Sequence, residues 1–139
     1  MQLEPYLFFK GNCEEALNFY KDIFGGEIQG LSRWKEMPEG AGGPPVTPET
    51  EGRVMHADFR APGVSFMASD ASPGKTYGEG SISLSLGTND LADAERVFNR
   101  LAEGGNVEMP MTDMFWGARF GMLTDKFGID WMINCRTAQ

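Results

Sequence analysis

Histidine and cysteine are scarce in this chain: His56 is the sole histidine, and Cys13 and Cys135 are the only cysteines among 139 residues. Cysteines so far apart have no metal-type spacing and make no disulfide framework, so both are expected as free thiols. His56 is left as the one side chain whose ordinary pKa suits acid–base work near neutrality. Basic residues are short too, with 12 Lys and Arg against 20 Asp and Glu and a net charge of −8. That balance argues against a nucleic-acid partner, which would need clustered cations to release counterions, and against an anionic membrane surface. No apolar run approaches a bilayer span, and the first residues lack the basic-then-apolar pattern of a signal, so a cytoplasmic protein is expected. What remains is ordinary, with 41% hydrophobic and 23% charged residues. It suits one domain, or two small units sharing a core.

The most informative stretch is C-terminal. Residues 118–124 and 129–135 read as two strands about the turn Asp125-Lys-Phe-Gly128. Ile129, Trp131 and Ile133 alternate with Asp130, Met132 and Asn134, the period of a sheet with two unlike faces. An echo stands earlier: Gly63-Val-Ser-Phe-Met-Ala-Ser-Asp70 lines up with Gly128-Ile-Asp-Trp-Met-Ile-Asn-Cys135. The chain therefore reads as two copies of one unit.

In order, a strand over 3–9 leads to a helix with Asn12 as N-cap and Glu15 completing a capping box. Ala16, Leu17, Tyr20, Ile23 and Phe24 give that helix an apolar face, and Gly25-Gly26 ends it. A strand over 27–34 follows. Residues 36–52, rich in Pro and Gly, form a long surface insertion and a candidate lid. Strands over 53–60 and 64–69 complete the first unit. The second begins with a strand over 81–86 and a helix capped by Asn89 or Asp90, and Gly104-Gly105 repeats the earlier glycine pair. Pro110 should confine the next strand to an edge or stop it early. Each half is thus βαβββ, over about residues 1–70 and 81–136 of a single domain.

Two such units resemble the vicinal oxygen chelate superfamily, which includes glyoxalase I, extradiol dioxygenases and bleomycin-resistance proteins. The chain most resembles its PhnB-like branch. The matching pieces are Pro5-Tyr-Leu-Phe-Phe-Lys-Gly-Asn-Cys13, Phe19-Tyr20, Gly25-Gly26, Met55-His56-Ala57, Ser69-Asp70, Phe115-Trp-Gly117, Asp125-Lys-Phe-Gly128 and Trp131-Met132. The resemblance implies an α+β fold, two tandem βαβββ units whose curved mixed sheets enclose a cavity, and a homodimer. Some relatives carry a ubiquinone-methyltransferase label, but the sequence has no Gly-rich strand-to-helix loop of the nucleotide-binding kind. Metal-using members take ligands from the first and last strand of each unit. Carried across, those positions are Met67 and Met132 on the last strands and fall at or near Pro5 and Ser81 on the first. None offers an imidazole or carboxylate, so neither a divalent metal nor any other cofactor is expected. Two thioethers could suit a soft ion such as Cu(I), though Met more often fills a cavity.

If Met67 and Met132 face the cavity, alternation adds Ser65, Ser69, Asp130 and Asn134, with Ser81, Ser83 and Ser85 from the second unit's first strand. Leu7 and Phe9 would supply an apolar floor, while Ile82, Leu84 and Leu86 form core. Such a lining suits a small organic molecule; it also fits a wet groove with no specific ligand. His56, with Asp58 two residues on, and Asp130 are the acid–base candidates, and a strand histidine satisfied by a carbonyl or water is the plain alternative. Serine hydrolysis through His56 lacks a nucleophile elbow. Trp116 and Arg119 could clamp an anionic or planar ligand, or pin a contact between units or subunits. Cys13 in a first helical turn beside Glu14 and Glu15 reads as packing. The sequence thus predicts a metal-free small-molecule binder, with an enzyme on an unidentified substrate second and a metal-dependent lyase or dioxygenase third.

Overall fold

The computed structural model describes residues 1–37, 45–74, 77, 78 and 80–136. It divides into two compact units, Met1–Thr76 and Tyr77–Gln139. The first holds β1 (Tyr6–Phe9), α1 (Cys13–Phe24), β2 (Glu27–Arg33), β3 (Val54–Ala61) and β4 (Val64–Asp70). The second holds β5 (Leu84–Thr88), α2 (Leu91–Ala102), β6 (Asn106–Met114), β7 (Ala118–Thr124) and β8 (Asp130–Arg136). Each unit forms a four-stranded sheet, in the orders β1-β4-β3-β2 and β5-β8-β7-β6. The first and last strands of a unit run parallel and the remaining pairs antiparallel. Among the described residues no helix is long and apolar enough to cross a membrane.

One face of each sheet packs on the unit's helix. In the first unit Tyr20 of α1 meets Phe66 edge-on at 5.9 Å, Phe24 meets Phe59 at 6.4 Å, and Phe59 stacks on Phe66 at 4.9 Å. Burying each such side chain contributes about 1.5–3 kcal/mol. In the second unit Ala94, Val97, Phe98 and Leu101 form the buried stripe of α2, against a sheet that buries Leu123, Trp131 and Ile133. A side-chain carbon at Gly121 of β7 would lie 2.7 Å from the Phe98 ring, so only glycine lets the helix settle there.

The two glycine pairs divide their work in the same way. Gly25 and Gly104 take positive φ, 71° and 73°, reversing the chain after each helix. Gly26 and Gly105 lie against the neighbouring backbone, where a Cβ would collide with the carbonyl oxygens of Arg60 and Thr124 respectively. One glycine makes the turn and the next admits a passing strand.

The structure replaces the expected cap of α1. Asn12 makes no side-chain capping bond. Asp70, at the end of β4, instead accepts Gly11 N–H and Cys13 N–H at Oδ1, both at 2.9 Å, and Val54 N–H at Oδ2, also at 2.9 Å. A carboxylate at a helix N-terminus satisfies orphan donors and complements the dipole; here it comes from another strand and ties β1, α1, β3 and β4 together. In α2 Asp90 caps locally, its Oδ1 accepting Asp93 N–H.

β5 starts later than expected. Ser81, Ile82 and Ser83 precede it, and Ile82 is 80% exposed rather than core. β6 is an edge strand but runs through Pro110 to Met114, with register irregularities on both sides of Met109. A bulge lets an edge strand carry a proline without ending. Of the insertion, residues 38–44 lie outside the described residues, and so does the middle of the expected lid. Its ends are pinned by Trp34 N–H to Arg53 O at 3.1 Å and Lys35 N–H to Glu51 O at 3.0 Å.

Candidate functional site

Register decides which side chains share the face turned away from the helix. In the first unit Tyr6, Met67, Asp58 and Gln29 are lateral neighbours across β1, β4, β3 and β2. Because Phe66 packs on α1, its neighbour Met67 points to the helix-free side, and the whole row goes with it. Ser65 with Arg60, Phe8 with Ser69, and His56 with Ser32 join them. The expected apolar floor is therefore corrected. Leu7 and Phe9 pair with Ala68 and Asp70, lie on the helix side, and are 8% and 2% exposed. Tyr6 and Phe8 take their place.

These side chains form a connected polar row. The Tyr6 hydroxyl lies 3.1 Å from His56 Nδ1. The bond passes over β4, which separates the two strands. His56 Nε2 lies 3.5 Å from Asp58 Oδ2, and Asp58 Oδ1 lies 3.4 Å from an Arg60 guanidinium nitrogen. Arg60 reaches Glu4 at 3.5 Å and donates a close hydrogen bond to Ser65 Oγ. Beside the row the Tyr6 and Phe8 rings are 4.8 Å apart, and Phe8 stays 44% exposed. Chemically the face offers aromatic and thioether surface, an imidazole that can take a proton from a phenol, and a carboxylate whose contacts among the described residues are long.

In the second unit the equivalent row is Ser85, Met132, Met122 and Met109, three thioethers side by side across β8, β7 and β6. Asp130 and Asn134 share that side by alternation with Met132. Asp130 is engaged locally: Thr124 Oγ1 lies 2.6 Å from its Oδ1 and 2.8 Å from Glu108 Oε1. Trp116, in the turn between β6 and β7, stands 6.3 Å from Phe120, the lateral neighbour of Asn134. Arg119 does not join them. It pairs laterally with Cys135 on the helix side, where its Nε donates to Glu95 of α2 at 2.7 Å and a terminal nitrogen donates to Asp113 at 3.2 Å. Those carboxylates raise the Arg119 pKa and hold it charged. The expected clamp of Trp116 with Arg119 is thus an aromatic alone. Of the three serines, Ser85 is in β5 beside Met132, and Ser81 and Ser83 precede the strand.

Register also shifts which first-strand residues stand beside the two methionines from the positions expected. Tyr6, not Pro5, lies beside Met67, and Ser85, not Ser81, lies beside Met132. Neither pair, the phenol with its thioether or the hydroxyl with its thioether, fits a hard or borderline divalent ion. No three His, Cys, Asp or Glu side chains gather as a metal site among the described residues. Cys13, fully buried, has its thiol pushed up to about 12 by burial first, then by Asp70 and Glu14, so it is no nucleophile.

The family model for 3-demethylubiquinone-9 3-methyltransferase matches residues 1–134. The chain belongs to that family. It is 35% identical to Protein YjdN of Escherichia coli, covering 96% of this chain and 95% of the relative. The crystal structure of PA1353 from Pseudomonas aeruginosa is 40% identical with a TM-score of 0.86, covering 99% of this chain and 98% of that one. A Bacillus cereus structure described as a putative 3-demethylubiquinone-9 3-methyltransferase, PhnB protein, is 31% identical with a TM-score of 0.79 and covers 97% of this chain and 99% of its own. A glyoxylase/bleomycin resistance protein/dioxygenase domain from Frankia, 15% identical with a TM-score of 0.67 over 98% of this chain and 97% of its own, shares the fold alone.

The sequence reading missed Tyr6, Phe8, Arg60 and Met122. The alternation was visible in each strand. The phase of a four-residue strand against a partner sixty residues away was not, because parallel pairing leaves no turn to fix it.

Proposed function

We propose that this PhnB-like protein binds a small organic molecule on the helix-free face of its first sheet, without a divalent metal centre at the family's ligand positions. The observation that carries this is the exposed Phe8 ring beside the row Tyr6–His56–Asp58–Arg60, since an aromatic ring left to solvent offers apolar surface to a ligand that the neighbouring polar groups can orient. Met67 sits in the middle of the row, an adaptable surface for a flat ligand.

A second reading, an enzyme with His56 as acid–base group, draws on the Tyr6–His56 contact of 3.1 Å, which is short enough for proton transfer. Methyl transfer is not our reading of the family label. The junction of β1 and α1 is Lys10-Gly11-Asn12, and the Gly11 and Cys13 amides that could hold an anionic cofactor group already bind Asp70.

Native mass spectrometry of the purified protein, with elemental analysis, tests the proposal. We expect a dimer of the 15.3 kDa chain, a retained organic mass and no stoichiometric divalent metal. A stoichiometric divalent metal lost on substituting Met67 or Met132 would refute the metal-free reading.

A further inference from the structure

Donors and acceptors on the first sheet's helix-free face do not balance. Glu4 and Asp58 bring two carboxylates, each an acceptor through both oxygens when ionised. The cations near them are Arg60 and, when protonated, His56. Arg60 is divided among Ser65, Glu4 and Asp58, and its carboxylate contacts of 3.5 and 3.4 Å are longer than the 2.7–2.9 Å of a firm charge-assisted bond. Asp58's other contact, to His56 Nε2, is also long at 3.5 Å. Above that carboxylate β2 places Gly30, at φ 58° in a stretch of irregular register, where an added Cβ would start 3.8 Å from Asp58 Oδ2. Glycine puts no side chain over that oxygen, and the Asp58 side chain keeps 29% exposure.

We propose that Asp58 is the ligand's polar anchor, and that it takes a protonated or N–H-bearing nitrogen on a flat molecule rather than an anion. This rests on the preceding reading of the face as a binding site and narrows its ligand class. A flat cation gains twice there, from the Asp58 carboxylate and from the faces of Phe8 and Tyr6. A carboxylate, phosphate or phosphonate meets an arginine already shared between two acids.

The test uses the full chain in about 150 mM salt, which screens the general attraction of an acidic protein for cations. Proflavine (a flat cation), 2-naphthoate (an anion) and 2-naphthalenemethanol (neutral) are titrated while the ring protons of His56, the only histidine, are followed by NMR. Proflavine is expected to shift His56 and to bind at least tenfold more tightly than 2-naphthoate. Asp58→Asn should weaken proflavine about tenfold and 2-naphthalenemethanol less than twofold; Asp58→Glu should recover most of the loss. Glu103→Gln, the same charge change at the end of α2, should alter neither by more than twofold. Thermal melts confirm that the variants fold. Naphthoate binding as tightly as proflavine, with a His56 shift, overturns the ligand class and leaves the site standing. Asp58→Asn behaving like Glu103→Gln overturns the anchor. No His56 shift with any probe overturns the site and the anchor together.

Discussion

Asp70 is the most consequential single side chain in the first unit, and its removal gives the sharpest stability test. The carboxylate is 3% exposed and accepts three backbone N–H groups, from Gly11, Cys13 and Val54, each at 2.9 Å. A buried donor left without a partner costs about 1–3 kcal/mol, and bonds to a charged acceptor lie at the upper end. Three orphaned amides give an upper sum near 9 kcal/mol, but relaxation and water entry at the start of α1 recover part of it. We expect Asp70→Ala to cost about 3–5 kcal/mol, a third or more of a typical domain's stability. Asp70→Asn separates geometry from charge. Its amide oxygen can still receive Gly11 and Cys13, while its NH2 turns toward Val54 N–H, donor against donor. One bond is lost and two weakened, so about 1–3 kcal/mol is expected. Urea unfolding reads both, with an unchanged m-value showing that only stability has moved. If Asp70→Ala costs under about 1 kcal/mol, or Asn is as costly as Ala, the three-strand tie is not what holds the helix start.

Other outcomes follow from the same geometry. Cys13 titrates at about 12 in the fold against an ordinary 9.0, so the folded state keeps a proton that the unfolded chain loses. Its contribution is complete below pH 9 and is lost as pH rises toward 12; Cys13→Ala should flatten that alkaline fall in stability. In the native protein Cys13 should also resist iodoacetamide at neutral pH. Gly25→Ala should cost about 1 kcal/mol for an αL alanine, whereas Gly26→Ala should cost about 3 kcal/mol, since its Cβ strikes a backbone carbonyl. Equal costs, measured by denaturation, would contradict the division of labour within the pair. Arg119→Ala should lower the unfolding midpoint, because the guanidinium joins Glu95 of α2 to Asp113 of β6; an unchanged midpoint would show that these pairs do nothing for the fold.

Much of the architecture was legible because it is written twice. The glycine pairs, the echo of Phe66-Met67 in Trp131-Met132 and the apolar stripes of both helices are local patterns, and local patterns survive in one dimension. What failed was long-range. Asn12 looked like a cap because it stood in the right place, yet a carboxylate from β4 does the work. Leu7 and Phe9 were assigned the wrong side because β1 is too short to carry its own phase. Arg119 was read by its neighbour Trp116, though one lies in a turn and the other on a strand committed to α2. In each case the decisive partner is distant in sequence.

The duplication also shows where chemistry could diverge. The helix faces of the two units are tightly constrained: Phe66 and Trp131 fill the same place, and Gly121 has no room for a methyl group. The opposite faces answer to no helix and have become unlike. Where the first unit carries Tyr6, Met67, Asp58 and Gln29 in one lateral row, the second carries Ser85, Met132, Met122 and Met109. Only the methionine of the last strand is common to both. A polar, hydrogen-bonded row orients a ligand, whereas a row of flexible thioethers adapts to its shape. Substitutions in the first row should therefore change which molecules bind that face: Asp58→Asn should weaken proflavine about tenfold and leave 2-naphthalenemethanol nearly unchanged. Loss of both probes by the same factor would refute the part given to the polar row in selecting a ligand.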